Sequence, residues 1–417
     1  MREMKDSGIE WIGAIPTTWH TQKMKYISNF IQNKYSSDYG LLPYIGLENI
    51  ASWSGSFIST NSQYDREQSL ICEPEDILFG KLRPYLAKVY MNDRLCCCSN
   101  EFAVIRVNGQ NKRYMWYQLL SHGFIFEIDR STYGTKMPRA NAEFIRNVFV
   151  ALPSEIEQQK IANYLDKMCA EIDAVLEKTC ASIEEYKKLK QAIITQAVTK
   201  GIRSDRPMKD SGIEWIGDIP AEWGVVPHKR IMHKVKEICE QYNGEDIISL
   251  TVNGVVKRDL TAGGKMPTSF DGYQYVEPND LLLCLFDIDV TPRCVGVVRD
   301  YGVTSPAYSR FVMHDGYYNA YYDYLLRMID DNKVFVHLSK NLRSSLTESD
   351  FGAIKTCAPP LAEQKCIAAF LDVRCDEIDA LIAKKQQYLT EIENYKKSLI
   401  YEYVTGKKEV KTSVLAD

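Results

Sequence analysis

The chain has 417 residues, 45% apolar and 25% charged, which is long enough for two to three domains with buried cores and excludes a disordered polymer. No apolar run approaches the roughly 18 residues of a membrane span, and the charged start Met-Arg-Glu-Met-Lys-Asp has no apolar stretch behind it, so a cytoplasmic chain with no membrane partner is expected. Fifty-one basic against 55 acidic residues give a net charge of −4, which excludes a generally basic nucleic-acid binder and leaves local basic patches as the route to DNA.

The first element, in residues 1–19, is the stretch MKDSGIEWIGAIPTTW at Met4–Trp19. Residues 20–151 follow as a mixed domain carrying 15 basic and 12 acidic groups. In it, Glu73–Phe79 predicts a turn into a buried strand, and Leu119-Leu120 falls in a short helix. Directly after that strand, Phe79–Lys88 holds Lys81, Arg83 and Lys88 with no acid, a loop that would turn cations outward. Tyr133–Arg139 is a second candidate loop, tightened by Gly134 and Pro138, with Lys136 and Arg139 as its DNA-binding cations and Arg139 suited to a guanine edge.

Residues 152–203 read as a long helix. Ser154-Glu155-Ile156-Glu157 is a capping box at its start and Gly201 a stop at its end. Ile161, Leu165, Met168, Ile172, Val175, Thr179 and Ile183 step by three and four, the period of a coiled coil.

The first stretch then returns in residues 204–223. Met208–Trp223 reads MKDSGIEWIGDIPAEW, identical to Met4–Trp19 at 13 of 16 positions with an offset of 204. Residues 224–358 repeat the skeleton of 20–151: Glu277–Leu283 answers Glu73–Phe79, Thr304–Ser309 answers Cys98–Ala103, and Leu325-Leu326 answers Leu119-Leu120. Here the basic candidates are Arg293, the weaker counterpart of the Lys81–Arg83 loop, and Lys333, Lys340 and Arg343; with 15 basic and 17 acidic groups this domain is the less basic one. Residues 359–406 form a second long helix. Glu363–Asp372 answers Glu157–Asp166 at an offset of 206, and Leu371, Ile378, Leu381, Leu389 and Ile392 carry its stripe. Residues 407–417 are a tail. The expected fold is α+β: two related mixed domains joined by two long helices in an antiparallel coiled coil, with a pseudo-twofold internal repeat.

No catalytic residue is predicted. The chain lacks a G-x4-G-K-[ST] phosphate loop, a G-x-G-x-x-G turn, H-E-x-x-H, G-x-S-x-G, and the Asn-Pro-Pro-aromatic motif that holds an extruded base for amino-methylation. Six histidines are scattered, and 12 cysteines, three of them consecutive at Cys96–Cys98, show no zinc spacing, so no metal site is expected.

The SGIEWIG-x-IP-x-x-W stretch, the EQ-x-x-IA-x-[YF]LD-x-x-x-x-EID helix and the Val-Thr helix ends resemble the DNA-specificity (S) subunits of type I restriction-modification systems, over nearly the whole chain. The resemblance implies two target recognition domains, each reading one half of a split double-stranded DNA site, held apart by helices that dock two methyltransferase (M) subunits. It also implies restriction/translocase (R) subunits in a prokaryotic defence against foreign DNA. Adenine-N6 methylation and cleavage, with S-adenosylmethionine, ATP and Mg, would belong to those partners and no cofactor to this chain. Two other readings fit the residues: a specificity subunit of a methylation-only system, and a coiled-coil scaffold that binds proteins rather than DNA.

Overall fold

A computed structural model describes residues 2–410 apart from 61–65, 67, 135, 262–266, 292 and 340–343. The chain divides into two compact units, residues 1–180 with 386–417 and residues 181–385, so each long helix gives one part to each unit.

In the first unit Met4–Asp6 pairs with Ala14–Pro16 as a hairpin, and Gly13 takes a positive φ where the chain turns back. Trp19 is buried behind it. Its indole Nε1 donates to Glu157 Oε2 at 3.0 Å, and Arg2 pairs with the same carboxylate. Only half of the expected capping box therefore forms: Glu157 N donates to Ser154 Oγ at 3.4 Å, but the Glu157 side chain does not fold back. A guanidinium and an indole N–H hold a carboxylate more strongly than a lone amide at the helix start.

The body of this unit is an antiparallel sheet in the order Ser28–Ile31, Phe102–Val107, Ile77–Gly80, Val89–Met91. Ile77, Leu78 and Phe79 are buried whichever face they point to, as their unbroken apolar run requires. On one face Leu78, Phe102 and Val104 pack on Ile45, Cys72, Cys96 and Cys98 from a three-stranded sheet, where the thiols serve as small hydrophobes. On the other, Phe79 and Ile105 pack on helices Lys112–Leu120 and His122–Arg130. Asp76 anchors the turn before the central strand: only 1% exposed, it accepts from Glu73 N at 2.8 Å and from Arg106 Nε at 2.8 Å.

The second unit repeats this framework. Met208–Asp210 pairs with Asp218–Pro220 in the same register, and a sheet follows in the order Met232–Val235, Ser309–Met313, Leu281–Leu283, Val295–Val297. Trp223 Nε1 donates to Glu363 Oε2 at 2.8 Å, and Arg206 reaches the same carboxylate at 2.6 Å. Asp280 accepts from Glu277 N at 2.7 Å and from Arg310 Nε at 2.6 Å. Tyr117 OH donates to Asp166 in the first unit and Tyr324 OH to Asp372 in the second, both at 2.8 Å. The repeated Trp–Glu and Tyr–Asp pairs thus join each domain to a long helix, and the repeated Arg–Asp pair braces the turn before its central strand.

The long helices run Glu155–Lys200 and Leu361–Val404. Among their buried and half-buried positions runs an unbroken alternation of three and four: 158, 162, 165, 169, 172, 176, 179, 183, 186 and 190 in the first, 371, 375, 378, 382, 385, 389, 392, 396, 399 and 403 in the second. Leu165, Ile172, Ile183, Leu371 and Ile378 are buried and Leu389 and Ile392 half-buried. Two expectations fail. Leu381 is 43% exposed and Val175 39%, because the seam passes through their neighbours Ile382 and Leu176; Met168 is only half-buried beside buried Cys169. Within the first unit Lys396 Nζ donates to Asp173 at 2.6 Å and the rings of Tyr164 and Tyr403 lie 4.6 Å apart. Within the second, Lys190 reaches Asp379 at 2.6 Å and lies on the same helix as Tyr186, whose ring faces Lys385.

One junction is built twice. In the second unit the chain passes from Lys200 through Gly201 to Arg206, whose Nη2 donates back to Lys200 O at 2.7 Å. In the first unit the equivalent place holds two chain ends: Lys407 Nζ donates to Ile12 O, Tyr401 OH donates to Trp11 O at 3.0 Å, and Arg2 lies 3.8 Å from Glu409.

Candidate nucleic-acid interface

The strand Ile77–Gly80 runs directly into the first candidate loop. Gly80 is closely packed there: a Cβ would stand 3.2 Å from Lys88 O and 3.1 Å from Leu47, so its neighbours would have to give by a few tenths of an ångström. Arg83 and Ala87 take left-handed backbone (φ 50° and 47°) on either side of the short turn Pro84–Leu86. The structure brings the second candidate loop against the first. Arg83 N donates to Pro138 O at 2.7 Å and Ala140 N to Lys81 O at 2.9 Å, while Tyr133 and Arg139 bond to each other across the loop. The two stretches singled out from sequence therefore form one surface.

That surface carries exposed Arg83, Lys136 and Arg139, interleaved with exposed Tyr85, Tyr133 and Met137. No described residue takes the side chain of Arg83 or Lys136, whereas Arg139 Nη2 pairs with Glu101. Lys81 lies half-buried behind them. Burial lowers its pKa, and the nearby Glu101 carboxylate opposes that shift. Lys88 does not join the surface: its Nζ donates to Leu47 O at 2.7 Å, satisfying a backbone carbonyl rather than facing outward.

In the second unit the corresponding loop is clasped the same way, with Leu346 N donating to Leu285 O at 2.9 Å and Ile288 N to Ser344 O at 3.1 Å. Asp287 occupies the left-handed position (φ 46°) that Arg83 holds in the first. Arg293 is a correction. Its Nε donates to Val295 O at 2.8 Å, and it turns into a cavity of about 870 Å³ lined also by Lys190, Arg299, Asp323, Arg327 and Asp379. Burial, then the neighbouring Arg327 guanidinium, lower its pKa, with Asp323 opposing. Lys333 is exposed, with left-handed backbone at the start of the helix Val334–Leu338. Lys340 and Arg343 lie outside the described residues. Among the described residues no group of His, Cys, Asp and Glu could hold a metal ion, and no helix is long and apolar enough to cross a membrane.

Residues 16–185 match the family model described as the type I restriction modification DNA specificity domain. This stretch belongs to that family. Over 335 residues, 74% of this chain and of the relative, the chain is 25% identical to the type I restriction enzyme MjaVIII specificity subunit of Methanocaldococcus jannaschii. It is 24% identical to the putative type I restriction enzyme MjaX specificity subunit of the same organism, over 96% of both chains. In fold it is similar to a chain from a structure described as the structural basis of complex assembly and conformational transition of the type I R-M system (TM-score 0.72, 16% identity, 94% of this chain and 99% of that one). It is also similar to the HsdS subunit from Thermoanaerobacter tengcongensis (TM-score 0.51, 16% identity, 94% and 98%).

The specificity domain exposes residues that charge counting passed over. Tyr85, Tyr133 and Met137 sit among its cations, and Phe286, Asp287, Asp289 and Val290 occupy the matching loop of the second unit. A search for lysine and arginine passes over apolar and acidic side chains in such loops. The signal for Asp287 was present in the offset of 204 that places it under Arg83.

Proposed function

We propose that this chain is the sequence-specific DNA-recognition subunit of a type I restriction-modification complex. The observation that carries the reading is the pairing of a repeated framework with unlike tips. The Trp–Glu, Arg–Asp and Tyr–Asp contacts recur in both units, while the clasped loops present Arg83, Lys136 and Arg139 in one and Phe286, Asp287 and Val290 in the other. A duplicated scaffold with diverged reading loops suits a bipartite site, each unit taking one half in the DNA major groove.

In this reading residues 20–151 and 224–358 are the two target recognition domains. The helices form an antiparallel coiled coil that sets the gap between half-sites, and with the signature hairpins they dock two methyltransferase subunits. The uninterrupted heptad seam of both helices and the paired Asp173–Lys396 and Lys190–Asp379 bridges support that role, since polar groups in a seam fix register. The chain itself is non-catalytic. S-adenosylmethionine, ATP and Mg are used by the methyltransferase and restriction subunits.

The test is a domain exchange. Residues 20–151 are replaced by the corresponding segment of another specificity subunit, and methylated motifs are mapped in cells that also carry the methyltransferase. One half-site should change while the other and the gap persist. A motif changed in both halves, or unchanged, would sink the reading.

A further inference from the structure

Three charged side chains meet at the root of the two clasped loops in the first unit. Lys81 N donates to Glu101 O at 2.8 Å, the Glu101 carboxylate pairs with Arg139 Nη2, and Lys81 sits half-buried close enough to feel both charges. Glu101 is itself largely covered: its side chain is 24% exposed, and Oε2 is buried with no hydrogen-bond partner among the described residues. Nε and Nη1 of Arg139 have no described partner. One nitrogen of the guanidinium is therefore pinned and the rest of the fork faces outward.

The second unit supplies an internal control. At the offsets of 204 and 206 that superpose the two repeats, Lys81 corresponds to Leu285, Glu101 to Ala307 and Arg139 to Ser345. The clasp survives, since Leu346 N donates to Leu285 O as Ala140 N does to Lys81 O. All three charges are absent there together, so the loops do not need the cluster in order to fold. The cluster goes with what the first unit presents at its tip.

A flexible arginine loses side-chain freedom when it docks, and much of its binding energy goes into ordering it. A carboxylate that already holds the guanidinium lowers that cost and fixes the direction of the fork, which sharpens the choice between a two-acceptor base edge and any other. The same carboxylate lies close to an approaching polyanion, so it weakens attraction to phosphate in general. It favours discrimination at the expense of indiscriminate affinity.

We infer that Glu101 is the positioning residue of the first half-site, holding Arg139 so that it selects a guanine edge. This rests on the DNA-recognition reading above.

The experiment selects bound duplexes from a pool of randomised double-stranded DNA, using the full chain assembled with its methyltransferase. Native chain, Arg139→Ala, Glu101→Ala and Glu101→Gln are compared, and retention of random-sequence duplex is measured alongside. Arg139→Ala is expected to make one position of one half-site degenerate. Glu101→Ala is expected to relax that same position, lowering discrimination roughly tenfold, while retention of random duplex stays equal or rises. Glu101→Gln, which keeps the shape and loses the charge, should fall between. A merely structural role would lower cognate and random binding alike, and that result overturns the inference. So does an unchanged motif in both Glu101 variants while Arg139→Ala relaxes it. If Arg139→Ala itself leaves the motif intact, both this inference and the placement of the reading surface fail.

Discussion

Met24 and His228 occupy the same place in the two units, one residue beyond the strand that pairs ahead of the long helix, and both are fully buried. Burial pushes the His228 imidazole down from the ordinary 6.5 to about 3. The unfolded chain therefore takes up a proton below pH 6.5 that the folded chain refuses. The stability of this unit is full above that pH and is lost as pH falls toward 3, by about 2 kcal/mol between pH 6.5 and pH 5. His228→Met, copying the first unit, should remove this part of the acid sensitivity, and urea midpoints at pH 7 and pH 5 will check it. Equal pH dependence in both proteins would show that the imidazole finds a proton acceptor on folding. A second contrast at this scale concerns cations. The Arg83 side chain is exposed with no partner among the described residues, while Lys88 is bonded to Leu47 O. Arg83→Ala should lower the slope of log affinity against log salt by about 1, and Lys88→Ala should leave it unchanged. From sequence the two were indistinguishable, because a lysine that caps a distant carbonyl leaves no mark in its own neighbourhood of the chain.

At the scale of the element, the existence of both long helices, their ends near Ser154 and Gly201, and their heptad period were legible in the residues. The phase of the stripe was not fully so. Both members of the pairs Leu381–Ile382 and Val175–Leu176 are apolar, so a step of three from Ile378 or Ile172 lands on Leu381 or Val175, yet the seam runs through Cys375, Ile382, Lys385 and Lys396. Charged residues in the seam hide it from a count of apolar letters, and only a partner such as Asp173 shows that Lys396 belongs inside. Leu381→Asp should shift stability by less than about 0.5 kcal/mol, whereas Ile378→Asp, which buries an unpaired charge, should cost about 3 kcal/mol or more. Circular dichroism melts of the full chain distinguish them; similar losses in both would return Leu381 to the seam. The candidate site was legible in part. Glycine and proline marked the second loop and a run of cations the first, but their mutual clasp joins residues 55 and 59 positions apart. Arg293 also resembled a loop cation until its bond to Val295 O placed it inside.

For the whole molecule, the strict seven-residue repeat sets which changes of length are tolerated. Four added residues displace the seam, whereas seven restore it. Insertion of seven residues in each long helix, after Thr179 and after the equivalent Lys385, adds about 10 Å, near three base-pair steps. The methylated motif should then keep both half-sites and gain about three positions in the gap. Altered half-sites would mean that the helices take part in reading bases.

The junction is covalent at Gly201–Arg206 and is held by side-chain contacts between Glu409 and Arg2, so the same contacts form with and without a peptide link across them. Both versions place a helix end beside a hairpin, and only one of them is covalent. A gene rewritten to begin near Arg206 and end near Gly201, with a short linker joining Val410 to Arg2, encodes the same set of contacts in rotated order. Such a circular permutant should melt close to the parent and recognise the same two half-sites. In this fold, which recognition unit is called the first is then a property of the gene and not of the protein.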